Sequence, residues 1–291
     1  MRGHAVIVVG IVGCAQGLPM EPPPDARGDA TAMIDARMSI RPDAPLTIAD
    51  ATPDAMVDGR IVDAPPPPID GGIVTAVIFA NDQTSLYKID PATYSATLVG
   101  AFGWPAQVGT DAMADIAIDP SGAVIGASTT KLYSCRATDA SCTLLGSLAH
   151  GVNALTFVPK GVIDPNHETL VGASSDGSLY AIDPSTAAMT SLGHFSNGHA
   201  SSGDLAYAGG KLVAAVNPGG ANDSLAKVDT SNGATTIVGT TGRPWMWGLA
   251  TAGGTLVGFT LGRDIVTIDP STGTTTKVGT GSADWYGAAG R

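Results

Sequence analysis

Residues 265–279 read IVTIDPSTGTTTKVG, and how this stretch folds sets the fold of the chain. Ile265, Thr267 and Asp269 alternate with Val266, Ile268 and Pro270, the period of two expected of a half-buried strand. The strand runs into Asp-Pro-Ser-Thr-Gly, and residues 274–278 return. Asp269 can accept a hydrogen bond from the backbone two residues on. Pro270 presets φ at the second turn position, and Gly273 takes positive φ at no steric cost. The unit is a β-hairpin with its turn written in.

Related stretches occur along the chain: LYKIDPATYSATLVG from Leu86, LYSCRATDASCTLLG from Leu132, LYAIDPSTAAMTSLG from Leu179 and LAKVDTSNGATTIVG from Leu225. A period of 40–47 residues, with two strands inside the motif and room for two more between copies, describes four-stranded propeller blades. Each hairpin is preceded by a further short apolar stretch, at 115–118, 153–157, 204–207 and 248–251, followed by a second strand such as 212–216 or 255–260. The internal blades are then 113–146, 152–193, 203–239 and 247–279. Residues 73–100 supply only the last three strands of a blade, whereas WYGAAG at 285–290 resembles WGLATAG at 247–253, a first strand. The two ends are expected to pair into one blade, an overlap closure that removes exposed sheet edges. The fold class is all-β, a five-bladed propeller over 73–291. Six blades is the alternative, but no residues remain for another.

The N-terminus is of a different kind. Residues 1–14, MRGHAVIVVGIVGC, place Arg2 and His4 before an apolar run too short to span a bilayer, the layout of an export signal. Their end, Ile11-Val12-Gly13-Cys14, resembles a bacterial lipobox, and an ordinary secretory signal is the alternative. That resemblance implies a lipid anchor on Cys14, with Ala15 compatible with the outer membrane or cell surface. Residues 15–72 repeat Asp-Ala seven times and hold no aromatic residue, so they cannot bury enough apolar surface to offset chain entropy. A disordered tether is expected there, and an acidic partner-binding tail is the alternative. The propeller repeat resembles the YVTN and NHL-like group found in exported bacterial lipoproteins, a resemblance covering 73–291 that bears on fold more than on activity.

Cys135 and Cys142 stand where the next copy has Ile182 and Met189, on one face of a hairpin. In an exported chain whose Cys14 carries lipid, they are read as a disulfide, with two buried thiols as the alternative. The net charge is −11, with no basic surface to neutralise phosphates, so nucleic-acid binding is excluded. No CxxC pair, HExxH or zinc-ligand spacing occurs, and neither cofactor nor metal is expected. The chain is expected to be a monomer.

In a propeller, the connector from an outermost strand to the next innermost strand crosses one face. The connectors near 101–114, 147–152, 194–203, 240–246 and 280–285 hold Trp104, His150, His194, His199, Trp245 and Trp285, with Trp247 just beyond. Aromatic platforms among polar groups suit a glycan, a peptide or an envelope protein, and filling of the ring is the competing role. Asp115, Asn153 and Asp204 are read as equivalent residues facing the channel. They can pair for catalysis, bind a cation, or accept backbone N–H groups of a neighbouring blade. The loop 159–170 carries Asp164, Asn166, His167 and Glu168, an exposed insertion or, less simply, a metal site. The preferred function is non-catalytic recognition. The alternative is a hydrolase or lyase acting on polysaccharide through Asp115 and Asp204, which needs carboxyls about 5–10 Å apart.

Overall fold

The computed structural model describes residues 76–291; Cys14, the export signal and the tether lie outside the described residues. Within the described residues, twenty strands form five four-stranded antiparallel sheets. The chain enters at β1 (Ile78–Asn81), β2 (Ser85–Ile89) and β3 (Ala96–Ala101). Blade 1 follows as β4 (Asp115–Ile118), β5 (Val124–Ala127), β6 (Lys131–Cys135) and β7 (Cys142–Ser147). Blade 2 is β8 (Ala154–Val158), β9 (Thr169–Ala173), β10 (Ser178–Ile182) and β11 (Met189–His194). Blade 3 is β12 (Ala200–Ala208), β13 (Lys211–Asn217), β14 (Ser224–Val228) and β15 (Thr235–Thr240). Blade 4 is β16 (Met246–Ala252), β17 (Thr255–Thr260), β18 (Asp264–Ile268) and β19 (Thr275–Thr280). The last strand, β20 (Gly287–Gly290), pairs with β1 from Ile78↔Gly290 to Asn81↔Gly287 and completes the closing blade in the order β20-β1-β2-β3. The ring therefore has five blades closed by its two ends, as the repeat predicts.

The core is not one mass but five apolar clusters, one per seam between neighbouring blades. Leu256 of β17 packs toward blade 3, whereas Val257 and Phe259 pack toward the closing blade. The repeat hairpin behaves the same way: Ile265 and Val266 are both buried, in different seams, rather than forming the half-buried strand that alternation alone predicts. A blade has neighbours on both faces, so period two sorts residues between seams and not between core and water.

Every hairpin carries one irregularity at the same place. The register slips between Leu86 and Tyr87, and at the matching positions of the other four blades, leaving one extra residue in each outermost strand. Those extra residues, Val99, Leu145, Leu192, Val238 and Val278, each pack into the seam with the following blade. Such a bulge bends the strand and increases its twist. The glycine after it lies beneath the next blade's turn. A Cβ on Gly239 would overlap the carbonyl oxygen of Thr272, and one on Gly146 would meet Thr186 O and Ala187 Cβ at 2.9 Å.

The turns form as their residues dictate. In blade 4, Asp269 Oδ1 accepts from Ser271 N at 2.8 Å and from its hydroxyl at 2.6 Å, and Gly273 N donates to Asp269 O at 2.8 Å with φ +75°. Tyr94, Ala140 and Ala187 hold the same left-handed position in their own turns without being glycine. Cys135 and Cys142 face each other in the β6–β7 register and are joined in a disulfide, with Cα atoms 4.0 Å apart.

Candidate functional site

The innermost strands β20, β4, β8, β12 and β16 surround a central channel with two mouths. The mouth on the connector face, about 380 Å³, is lined by Ala114, Asn153, Gly203, Trp247 and Tyr286 from these strands or the residues just before them, and by turn residues such as Gln83 and Thr129. The opposite mouth, about 250 Å³, is lined by Ala117, Thr156, Ala206, Leu249 and Ala289 further along the same strands. Between these levels lie the equivalent residues Asp115, Ala154, Asp204, Gly248 and Gly287.

That middle level closes the channel. Asp115 and Asp204 are fully buried and line neither mouth. Asp115 accepts from Ile116 N at 2.8 Å and from Leu155 N of blade 2 at 2.5 Å. Asp204 accepts from Leu205 N and from Leu249 N of blade 4, both at 2.5 Å, and also reaches the N–H of Ala288 in the closing blade. The two carboxyls, from non-adjacent blades, come close enough for each to affect the other's charge. Burial pushes both well above the usual carboxylate range, and the neighbouring Asp204 charge adds to the effect on Asp115. Small residues elsewhere at this level make the room: a Cβ on Gly287 would overlap Asp115 Oδ1. The arrangement stitches blade 1 to blade 2 and blade 3 to blade 4. Both carboxyls are buried away from the two mouths, so neither is presented to a ligand held in one of them.

Asn153 is not part of this level. Its N–H bonds Ala173 O as that of Ala114 bonds Ala127 O, one position before Asp115 and Ala154, so its side chain belongs to the connector-face mouth. Asn153 Nδ2 donates to Ser201 O of blade 3 at 3.3 Å. Similarly, Gly248 and Gly287 are equivalent, so Trp247 corresponds to Tyr286 and not to Trp285. A slip of one residue reverses the face on which a strand side chain points. Trp285 is accordingly 0% exposed, in edge contact with Tyr87 and Phe259 at 5.3 and 5.8 Å, while Tyr286 meets Trp247 in the mouth at 5.0 Å.

The remaining connector residues are dispersed. Trp104 is half-buried against Phe102 and Tyr133 in the seam between the closing blade and blade 1. His199 is buried with Nδ1 2.9 Å from Thr235 Oγ1, and exposed His194 sets Nδ1 2.7 Å from Phe195 O. His150 stacks on Tyr180. Trp245 is 55% exposed and holds φ +53°, its backbone fixed by Leu261 N and, through Met246 N, by Asp223 Oδ2. Of the seven aromatic and histidine candidates, Trp247 is the one that lines the channel mouth.

No family model matches the chain, and no curated protein matches it. The site is therefore read from its own geometry. In the long loop, Asp164 accepts from the N–H groups of Asn166 and His167, and Glu168 accepts two bonds from Arg291, at 3.0 and 2.8 Å, beside the mouth opposite the connector face. Among the described residues no group of three or more His, Cys, Asp or Glu is placed to hold a metal ion. The signal that would have found Tyr286 was the Gly-x-Ala shared by 248–250 and 287–289, which aligns the two first strands by their glycines.

Proposed function

We propose that the protein is an exported, lipid-anchored recognition module of the YVTN and NHL-like kind, holding its ligand in the connector-face mouth of the propeller. The observation that carries this reading is the character of that mouth. All five blades contribute to it, Trp247 and Tyr286 give it aromatic surface, and its lining side chains are uncharged. Concave, largely apolar sites with a few convergent polar groups are the usual form of ligand pockets. In this reading, Cys14 anchors the chain to the outer membrane or cell surface and residues 15–72 hold the ring away from it. A glycan, a peptide or an exposed part of an envelope protein is the ligand. The carboxyl pair serves the ring and not a reaction, because each of its four oxygens accepts from a backbone N–H.

The test is binding of the purified protein to a panel of immobilised glycans, peptides and envelope proteins, wild type against the Trp247→Ala/Tyr286→Ala double variant. Saturable binding that the double variant loses while keeping its melting temperature supports recognition at this mouth. Binding that survives the double substitution places the ligand elsewhere, and a panel without any ligand removes the reading.

A further inference from the structure

One ion pair among the described residues crosses the ring. Arg291 donates to Glu168 through both terminal nitrogens, at 3.0 and 2.8 Å, the paired geometry in which a guanidinium and a carboxylate interact most strongly. Glu168 precedes β9 in blade 2 and Arg291 follows β20 in the closing blade, so blade 1 lies between them and the pair spans the mouth opposite the connector face. The other ion pairs of the described residues stay within one blade or join a blade to its adjoining connector. The long loop carries Glu168 to this place: residues 159–168 connect β8 to β9, where blades 3 and 4 turn on residues 209–210 and 253–254 alone.

The pair holds the weaker end of the strand that closes the ring. β20 is Gly-Ala-Ala-Gly, and its neighbours allow nothing larger at its ends: a Cβ on Gly287 would overlap Asp115 Oδ1, and one on Gly290 would overlap Thr251 O. Its connector-face end follows Trp285, which is fully buried against Tyr87 and Phe259. At the other end no buried side chain anchors it. There Arg291 and Val77 exchange both backbone bonds, at 2.9 and 3.0 Å, one step beyond Ile78↔Gly290, and the Arg291 side chain reaches Glu168. β20 also covers the carboxyl pair, with Gly287 against Asp115 and the Ala288 N–H on Asp204.

We propose that Glu168–Arg291 is a latch that keeps β20 shut over Asp115 and Asp204. When it breaks, the strand opens from Arg291 toward a hinge at Tyr286 and Gly287, and water from the mouth opposite the connector face reaches the carboxyls. Strand ends open locally at far less free energy than global unfolding, so a contact placed at one end governs the opening of a short strand. The two side chains are 38% and 24% exposed, so the pair weakens with salt as a core contact does not. The latch thus makes that mouth a gate set by ionic conditions, and it does not depend on any ligand in the connector-face mouth.

The experiment is hydrogen exchange of the full-length protein, read in peptides covering residues 76–82 and 284–291, together with glycine ethyl ester labelling of carboxyls mapped to Asp115 and Asp204. Glu168→Gln should raise exchange at Val77 and at residues 288–291 about fivefold, the upper range for a half-exposed ion pair. It should leave residues 211–217 of blade 3 unchanged and raise labelling of both aspartates in step. Salt at about 1 M should do the same to the wild type and nothing further to the variant. The charge-swapped Glu168→Arg/Arg291→Glu variant should restore protection, which separates the latch from other effects of the single substitution. Exchange that stays at the wild-type level in Glu168→Gln, or that rises equally in blade 3, overturns the latch. Exchange that rises without labelling of Asp115 and Asp204 overturns the role of β20 as their cover.

Discussion

Gly239 shows how much a single position in the repeat can carry. It lies one residue before the end of β15, against the Thr272 carbonyl of the next blade's turn, where any side chain must displace backbone. Gly239→Ala is expected to destabilise by about 1–3 kcal/mol, the usual cost of overpacking a fixed site. Gly220→Ala, whose Cβ would find nothing closer than 3.8 Å, should stay within about 0.5 kcal/mol. Urea unfolding of the two variants checks this, and equal midpoints would mean that the seam yields easily. Residue identity also decides the site, because the offset between Trp285 and Tyr286 puts one ring in the core and the other in the mouth.

The repeating element is the hairpin with its turn aspartate, its bulge and its glycine. In blade 1 the pattern is altered, with Arg136 in place of the aspartate and the Cys135–Cys142 bridge tying the hairpin across a sequence separation of 7. A loop this short still limits the unfolded chain, by about 2–3 kcal/mol on loop-closure entropy. Cys135→Ala/Cys142→Ala should lower the unfolding free energy by about that amount. Reductant should shift the wild-type urea midpoint and leave the variant's unchanged. A wild-type midpoint insensitive to reductant would show that the bridge adds nothing.

At the scale of the whole ring, stability has two opposed pH dependences. The turn carboxylates of Asp183, Asp229 and Asp269 are held below the usual range first by the serine hydroxyl two residues on, and then by its N–H; for Asp90 the N–H groups of Ala92 and Thr93 come first. Their contribution is present above pH about 4 and is lost as pH falls through the lowered values. The buried pair works in the other direction. With folded values raised above the unfolded ones, it binds more protons folded than unfolded, so its contribution is complete below pH about 4 and declines as pH rises toward the raised values. The melting temperature is expected to fall from pH 5 to pH 8, with a shallower slope in Asp115→Asn, itself less stable. A wild-type curve that is flat or rising over that range would rule out the raised carboxyls. A further whole-molecule prediction concerns Cys14: Cys14→Ser should abolish incorporation of labelled palmitate and release the protein from membranes, and unchanged labelling would refute the anchor.

Repetition made the architecture legible. Five copies of strand, Asp-Pro-type turn and returning strand fix blade number and length, and the leftover strands at the two ends can only complete each other. Pairing of Cys135 with Cys142 followed from the same alignment, since hairpin partners are local. The site was legible only as a face. Which connector residue reaches the channel depends on strand register, and the sequence aligned Trp285 with Trp247 and Asn153 with Asp115, one residue off in each case. Two carboxyls 89 positions apart influence each other only because the ring brings β4 and β12 to one channel. Local chemistry is written residue by residue and survives without the fold. Contacts between non-adjacent blades, and the one-residue offsets that choose core or channel, exist only once the ring has closed.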